Sequence, residues 1–126
     1  GWHPDIPYHK PQHIKVQIYV EDVSADGGAF AFLPGSHKAD SGPYSVYDKL
    51  EQMPGYKLFP GTAGTAILFN NHGWYTSMVN RTGSPRKSII LSYVERHEAG
   101  YKAQRHQAIA DKLTTPQRRK LFCLER

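Results

Sequence analysis

Residues 13–20, His-Ile-Lys-Val-Gln-Ile-Tyr-Val, constrain the fold most, because apolar side chains recur at every second position: Ile14, Val16, Ile18 and Val20. A period of two puts all four on one side of an extended chain, so the segment is expected to be a strand half buried against a core through that side. A half-buried strand needs a sheet, and the neighbouring punctuation supplies further strands. Asp26-Gly27-Gly28 is a turn signal, and the short apolar run at 29–33, closed by Pro34-Gly35, predicts a second strand. Pro60-Gly61 and Gly64 precede a third at 65–69, and a fourth is expected over 88–94. Residues 35–62 between the second and third are too long for a hairpin loop, and only 47–53 suggest a short helix. Long loops of this kind usually carry function, so 38–60 is the expected substrate-contacting region.

After Glu95 the pattern changes to helix. Residues 103–113 place Ile109 and Leu113 four apart, and Thr115-Pro116 reads as a cap followed by a proline in the first turn of a second helix over 117–124. Short strands followed by helices predict a mainly β antiparallel domain of sandwich or barrel kind, residues 1–94, with 95–126 as a helical extension of the same domain. The strands are few for a closed jelly roll. The chain also opens on Gly1 and at once on Trp2-His3-Pro4-Asp5, which resembles a strand-to-loop transition, so an N-terminal part of a longer protein is expected to be missing.

Composition narrows the function classes. At 126 residues the chain is one domain at most, and its single cysteine, Cys123, has no partner within the chain. No signal-peptide pattern or membrane-length apolar run occurs, so a reducing, cytoplasmic location without membrane contact is expected. The net charge of +5 is concentrated in residues 95–126, where eight Lys/Arg face four Asp/Glu. A solvated basic helix face is the commoner reason for such an excess; a nucleic-acid-binding module built on these helices is the weaker idea, with no recognised motif behind it.

The chemistry begins with His3 and Asp5. One residue apart on an extended chain, they project from the same side and can reach one ion. An imidazole, a carboxylate and a distant third ligand make the facial arrangement that leaves positions open on iron(II). His-x-Asp alone is a weak signal. It gains meaning from the ordered set Trp2-His3-Pro4-Asp5, Asp26-Gly27-Gly28, Pro34-Gly35-Ser36-His37, then Ser77, Asn80, Thr82 and Arg86. In that order and spacing the chain resembles phytanoyl-CoA dioxygenase-like enzymes, iron(II)- and 2-oxoglutarate-dependent oxygenases, over roughly residues 2–94.

The resemblance implies an incomplete double-stranded β-helix of jelly-roll or cupin-like kind in which His3 and Asp5 hold Fe(II) and Arg86 holds the far carboxylate of 2-oxoglutarate. Ser77 or Ser88 would assist that carboxylate, with Asn80 and Trp74 supporting the site. A guanidinium offers a planar, permanently charged fork to a carboxylate, which suits Arg86 to this role. By parity Arg86, Ser88, Ile90 and Ser92 share a strand face polar enough to line a cavity. Because Asp5 is present where halogenating relatives carry a small residue, the implied reaction is hydroxylation of a small organic substrate with dioxygen.

One position departs from the family pattern. The distal histidine belongs five residues before Asn80 and eleven before Arg86, and that place is held by Tyr75. Tyr75 could bind as a phenolate, although its reference pKa near ~10 means that a metal must displace the proton. His72 could substitute if Gly73 allowed a bend, and a vacant or water-filled place is the third option. The alternative function is therefore a non-catalytic or impaired jelly-roll binding protein derived from such an enzyme. His37 reads as a turn-stabilising residue, His9, His13, His97 and His106 lack a partner at chelating spacing, and Trp2, Trp74, Tyr19 and Tyr44 are candidates for pocket wall or core.

Overall fold

The computed structural model describes residues 1–8, 13–94, 106–122 and 124. The chain divides into two compact units, Gly1–Tyr93 and Val94–Arg126. Among its described residues the first unit holds six strands: β1 (Ile14–Tyr19), β2 (Phe30–Phe32), β3 (Lys57–Phe59), β4 (Ala66–Asn70), β5 (Tyr75–Ser77) and β6 (Ser88–Tyr93). They form two antiparallel sheets of three strands, one in the order β4-β1-β6 and the other β3-β2-β5. The chain crosses between the sheets at β1 to β2, β3 to β4, β4 to β5 and β5 to β6. This winding is that of a jelly roll, here incomplete, with six strands against the about eight of a full one.

The core lies between the sheets. Phe30 is 4.6 Å from Phe69 and 5.7 Å from Tyr75 between ring centroids, and Phe69 and Tyr75 are 5.0 Å apart. Tyr19, 1% exposed, fastens the sheets together: its hydroxyl donates to the Phe59 carbonyl at 2.7 Å and accepts from the Phe30 amide at 2.9 Å. A phenol serves here because its ring fills apolar space while its tip satisfies two backbone groups that would otherwise be buried without partners.

The strand at 13–20 forms as expected, but its faces are the reverse of the expectation. Gln17 and Tyr19 are 3% and 1% exposed, whereas Val20 is 52% exposed and Ile14, Val16 and Ile18 are only half-buried. The register explains this: Lys15, Gln17 and Tyr19 share the inward side with Ile67 and Phe69 of β4 and with Ser88, Ile90 and Ser92 of β6. A jelly-roll interior is part core and part cavity, so polar side chains point in and the apolar alternation marks the outer side. Ser88, Ile90 and Ser92 share one side of β6, although Ile90 is 54% exposed, and Arg86, which precedes the strand, reaches Ser88 through its guanidinium.

Residues 35–62 contain a short 3₁₀ helix, Leu50–Gln52, and a strand that periodicity did not reveal, β3. In the second unit, the described part of the helix expected at 103–113 is a 3₁₀ helix, Gln107–Lys112, and residues 103–105 lie outside the described residues. The helix expected at 117–124 is α1 (Pro116–Leu121), started by the Thr115 hydroxyl accepting from the Arg118 amide at 3.2 Å and by Pro116 in the first turn. Arg119 donates to the Ala110 carbonyl at 3.1 Å, joining the two helices of this unit.

Candidate functional site

His3 is carried to the site by pairing with β5. It forms an antiparallel bridge with Tyr75, exchanging both backbone hydrogen bonds at 3.2 and 3.1 Å, and the Asp5 amide donates to the Asn71 carbonyl at 3.3 Å. Segment 3–5 therefore runs as an extra edge beside β5, and the side chains of His3, Asp5 and Tyr75 converge. His3 Nε2 is 3.5 Å from Asp5 Oδ1, and the rings of His3 and Tyr75 are 4.8 Å apart. The Tyr75 hydroxyl donates to Asp5 Oδ1 at 2.6 Å.

Lys15 is the participant that the sequence did not announce. Projecting inward from β1, its side chain is 15% exposed, and its ammonium pairs with Asp5 Oδ2. It also donates to the Tyr75 hydroxyl at 3.2 Å and lies 5.4 Å from the centre of that ring. Burial moves both neighbours toward their neutral forms, holding Lys15 below the ordinary lysine range and Tyr75 above the ordinary tyrosine range. Tyr75 thus stands as a protonated phenol, the state that donates to Asp5. The readable signal was parity: Lys15 shares its strand side with Gln17 and Tyr19, so a long cation was aimed at whatever that side encloses.

A second cluster forms around Arg86. Its Nη2 donates to Ser77 Oγ at 2.9 Å and its Nη1 to Ser88 Oγ at 3.4 Å, while Gln17 Nε2 donates to the same Ser88 oxygen at 3.3 Å. Arg86 also borders an open cleft of about 300 Å³ with Glu21, Asp22 and Thr82. Tyr75 and Ser77 are two residues apart on β5 and project from the same side, which separates the two clusters by about 7 Å along the strand. The three groups expected at the carboxylate end, Arg86, Ser77 and Ser88, are therefore assembled, and they face the same interior as His3, Asp5 and Tyr75.

Other expected residues lie elsewhere. His72 is 4% exposed, with Nδ1 2.7 Å from the Pro7 carbonyl and Nε2 accepting from the His13 amide at 3.3 Å. Both ring nitrogens are directed at backbone groups, and among the described residues no three His, Cys, Asp or Glu side chains are grouped to hold a metal. Gly73 leaves room for the Phe32 ring, whose Cζ would lie 2.2 Å from an added Cβ. Asn80 holds the turn before β6, its side chain accepting from Thr82 at 3.0 and 2.8 Å and donating to the Ser84 carbonyl at 2.6 Å. Trp74, of opposite parity to Tyr75, packs 5.2 Å from Tyr44. Trp2 donates to the Leu50 carbonyl at 2.9 Å, tying the first residues to the long loop. His37 lines an apolar cavity of about 220 Å³ with Phe30, Phe32, Phe59 and Phe69. His106 Nδ1 lies 2.8 Å from the Phe122 carbonyl, and His9 and His97 fall outside the described residues.

The winding is that of an incomplete, cupin-like jelly roll, with His3 and Asp5 beside Tyr75 and Arg86 beside Ser77 on the same strand. The chain belongs to the phytanoyl-CoA dioxygenase (PhyH) family, whose profile matches residues 1–88. Among solved structures it is similar to AviO1 from Streptomyces viridochromogenes Tue57, with TM-score 0.59 and 21% identity over 76% of this chain and 43% of that one. It is similar to EvdMO1, with TM-score 0.59 and 19% identity over 76% and 23%. It is also similar to the non-haem α-ketoglutarate-dependent epimerase SnoN of nogalamycin biosynthesis, with TM-score 0.56 and 23% identity over 75% and 38%. The chain thus spans less than half the length of each of these proteins, and at these identities the likeness is one of fold.

Family membership implies an iron centre, and the residues present do not fit one. A facial site needs three protein donors free to face the ion. Here His3 and Asp5 supply two, the third place is a phenol that donates its proton to Asp5, and the other Asp5 oxygen is paired with the Lys15 ammonium.

Proposed function

We propose that this chain is a binding protein for a small dicarboxylate of the 2-oxoglutarate type, built on the oxygenase fold of its family and impaired at the metal position. The observation that carries this reading is the Arg86 cluster. A guanidinium flanked by two serine hydroxyls at the end of an inward-facing strand offers a charged, forked and hydrogen-bonded seat for one carboxylate. The spacing of about 7 Å to the Lys15, Asp5 and Tyr75 corner suits a five-carbon chain with an acidic group at either end. Titration of the full chain with 2-oxoglutarate tests it: saturable one-site binding is expected, weakened about 10- to 100-fold in Arg86→Ala, the loss of charge-assisted hydrogen bonds of about 1.5–3 kcal/mol. Equal affinity in that variant would sink the reading.

The second reading is the Fe(II)- and 2-oxoglutarate-dependent hydroxylation of a small organic substrate with dioxygen. It is favoured by the approach of His3 Nε2 to Asp5 Oδ1, 3.5 Å, a separation at which both could reach one ion. SnoN is described as an epimerase, so even an active site of this fold need not hydroxylate. Succinate release from 2-oxoglutarate on addition of iron and ascorbate, abolished in His3→Ala, would favour this second reading over the first.

A further inference from the structure

We propose that Lys15 is a built-in cation standing where relatives of this chain would hold iron, so that the site grips a dicarboxylate between Lys15 and Arg86 without a metal and without need of the 2-oxo group. The inference rests on the dicarboxylate reading above and deepens it by naming what receives the second acidic end.

Three observations support it. First, the charge of Asp5 is already balanced. One carboxylate oxygen is paired with the Lys15 ammonium and the other accepts from the Tyr75 hydroxyl, while that hydroxyl also accepts from Lys15. The three groups close a ring of mutual contacts that engages both Asp5 oxygens, and a divalent ion at His3 and Asp5 would lie against the ammonium and be repelled by it. Second, Tyr75 and Lys15 complement one another. A tyrosine in the distal ligand place forfeits a nitrogen donor, and Lys15, reaching it from β1 in the facing sheet, supplies a positive charge beside Asp5. Third, the two cations lie on consecutive rungs of the same interior. Lys15 meets Tyr75, Arg86 meets Ser77, and Gln17, between Lys15 and Tyr19 on β1, links to the Arg86 cluster through Ser88. An anion with one charge at each end can bridge them.

The consequence for ligand choice is specific. Where a metal holds the ligand, the 2-oxo oxygen and its neighbouring carboxylate act as paired donors, and a plain dicarboxylate lacks one of them. Where an ammonium holds it, the carboxylate charge dominates, and glutarate should serve about as well as 2-oxoglutarate.

Calorimetric titration of the full chain with 2-oxoglutarate and with glutarate, each in EDTA and in Co(II), reads this directly. The expected result is that the two ligands bind within about threefold of each other, that Co(II) changes neither, and that Lys15→Met weakens both at least tenfold. A tenfold or greater gain for 2-oxoglutarate alone on adding Co(II), or unchanged affinity in Lys15→Met, would overturn the proposal. If neither ligand binds and Arg86→Ala is silent, the dicarboxylate reading fails, and the place of Lys15 is still decided by Co(II) itself. Wild type taking up no Co(II), while Lys15→Met/Tyr75→His takes up one equivalent with a visible ligand-field absorption, supports the built-in cation. One equivalent bound by wild type refutes it, and that arm requires no variant to fold.

Discussion

At the scale of single residues, two tyrosines divide the work of this interior. Tyr19 is structural: its hydroxyl joins the sheets through Phe30 and Phe59. Removing only that oxygen in Tyr19→Phe leaves a buried amide and a carbonyl each short of a partner, so urea denaturation should show a loss of about 1–3 kcal/mol with the fold retained. A loss near zero would mean that water replaces the hydroxyl. Tyr75 belongs to the site, and the sequence located it by count alone, five residues before Asn80 and eleven before Arg86. Its chemistry was less legible. Whether a tyrosine there is phenolate or phenol depends on burial and on the neighbours brought by other strands, and Lys15 arrives from sixty residues upstream. His72 illustrates the opposite difficulty. It is the nearest histidine in sequence, yet Pro7 and His13 engage its ring nitrogens, and nothing in a linear count foretells those backbone partners.

At the scale of elements, the length of a strand decided whether it could be read. β1 and β6, six residues each, show their alternation plainly, whereas β3 and β5, three residues each, are too short for any period to emerge. Which side of a strand faces inward is a separate question, and β1 answered it against the usual rule. Ile14, Val16 and Ile18 stand with Leu68 on β4 and with Ile89, Leu91 and Tyr93 on β6, a row whose members reach 70% exposure at Leu68. Neighbouring residues on β4 test the assignment. Ile67, 8% exposed and in the core, should cost about 2–5 kcal/mol on truncation to alanine. Leu68→Lys, one residue along, should change stability by no more than about 0.5 kcal/mol. Equal costs in thermal denaturation would show that the outer side of β4 is covered in solution.

At the scale of the whole molecule, two three-stranded sheets wind as an incomplete jelly roll, and Lys15 and Arg86 reach successive residues of one side of β5, Tyr75 and Ser77. The family resemblance was legible because its motifs are turns and polar residues at fixed spacing, which survive in a linear reading. The change of character at the metal position was not, because it depends on how side chains of β1 and β5, which belong to different sheets, meet between them. The central claim is that the interior binds a dicarboxylate through Arg86 and Lys15 in place of a metal. Its most direct test is a single titration of the full chain with 2-oxoglutarate in the presence of a strong chelator. One saturable site, with the same affinity when the chelator is replaced by Co(II), is the predicted result; binding that appears only once the metal is supplied would contradict it.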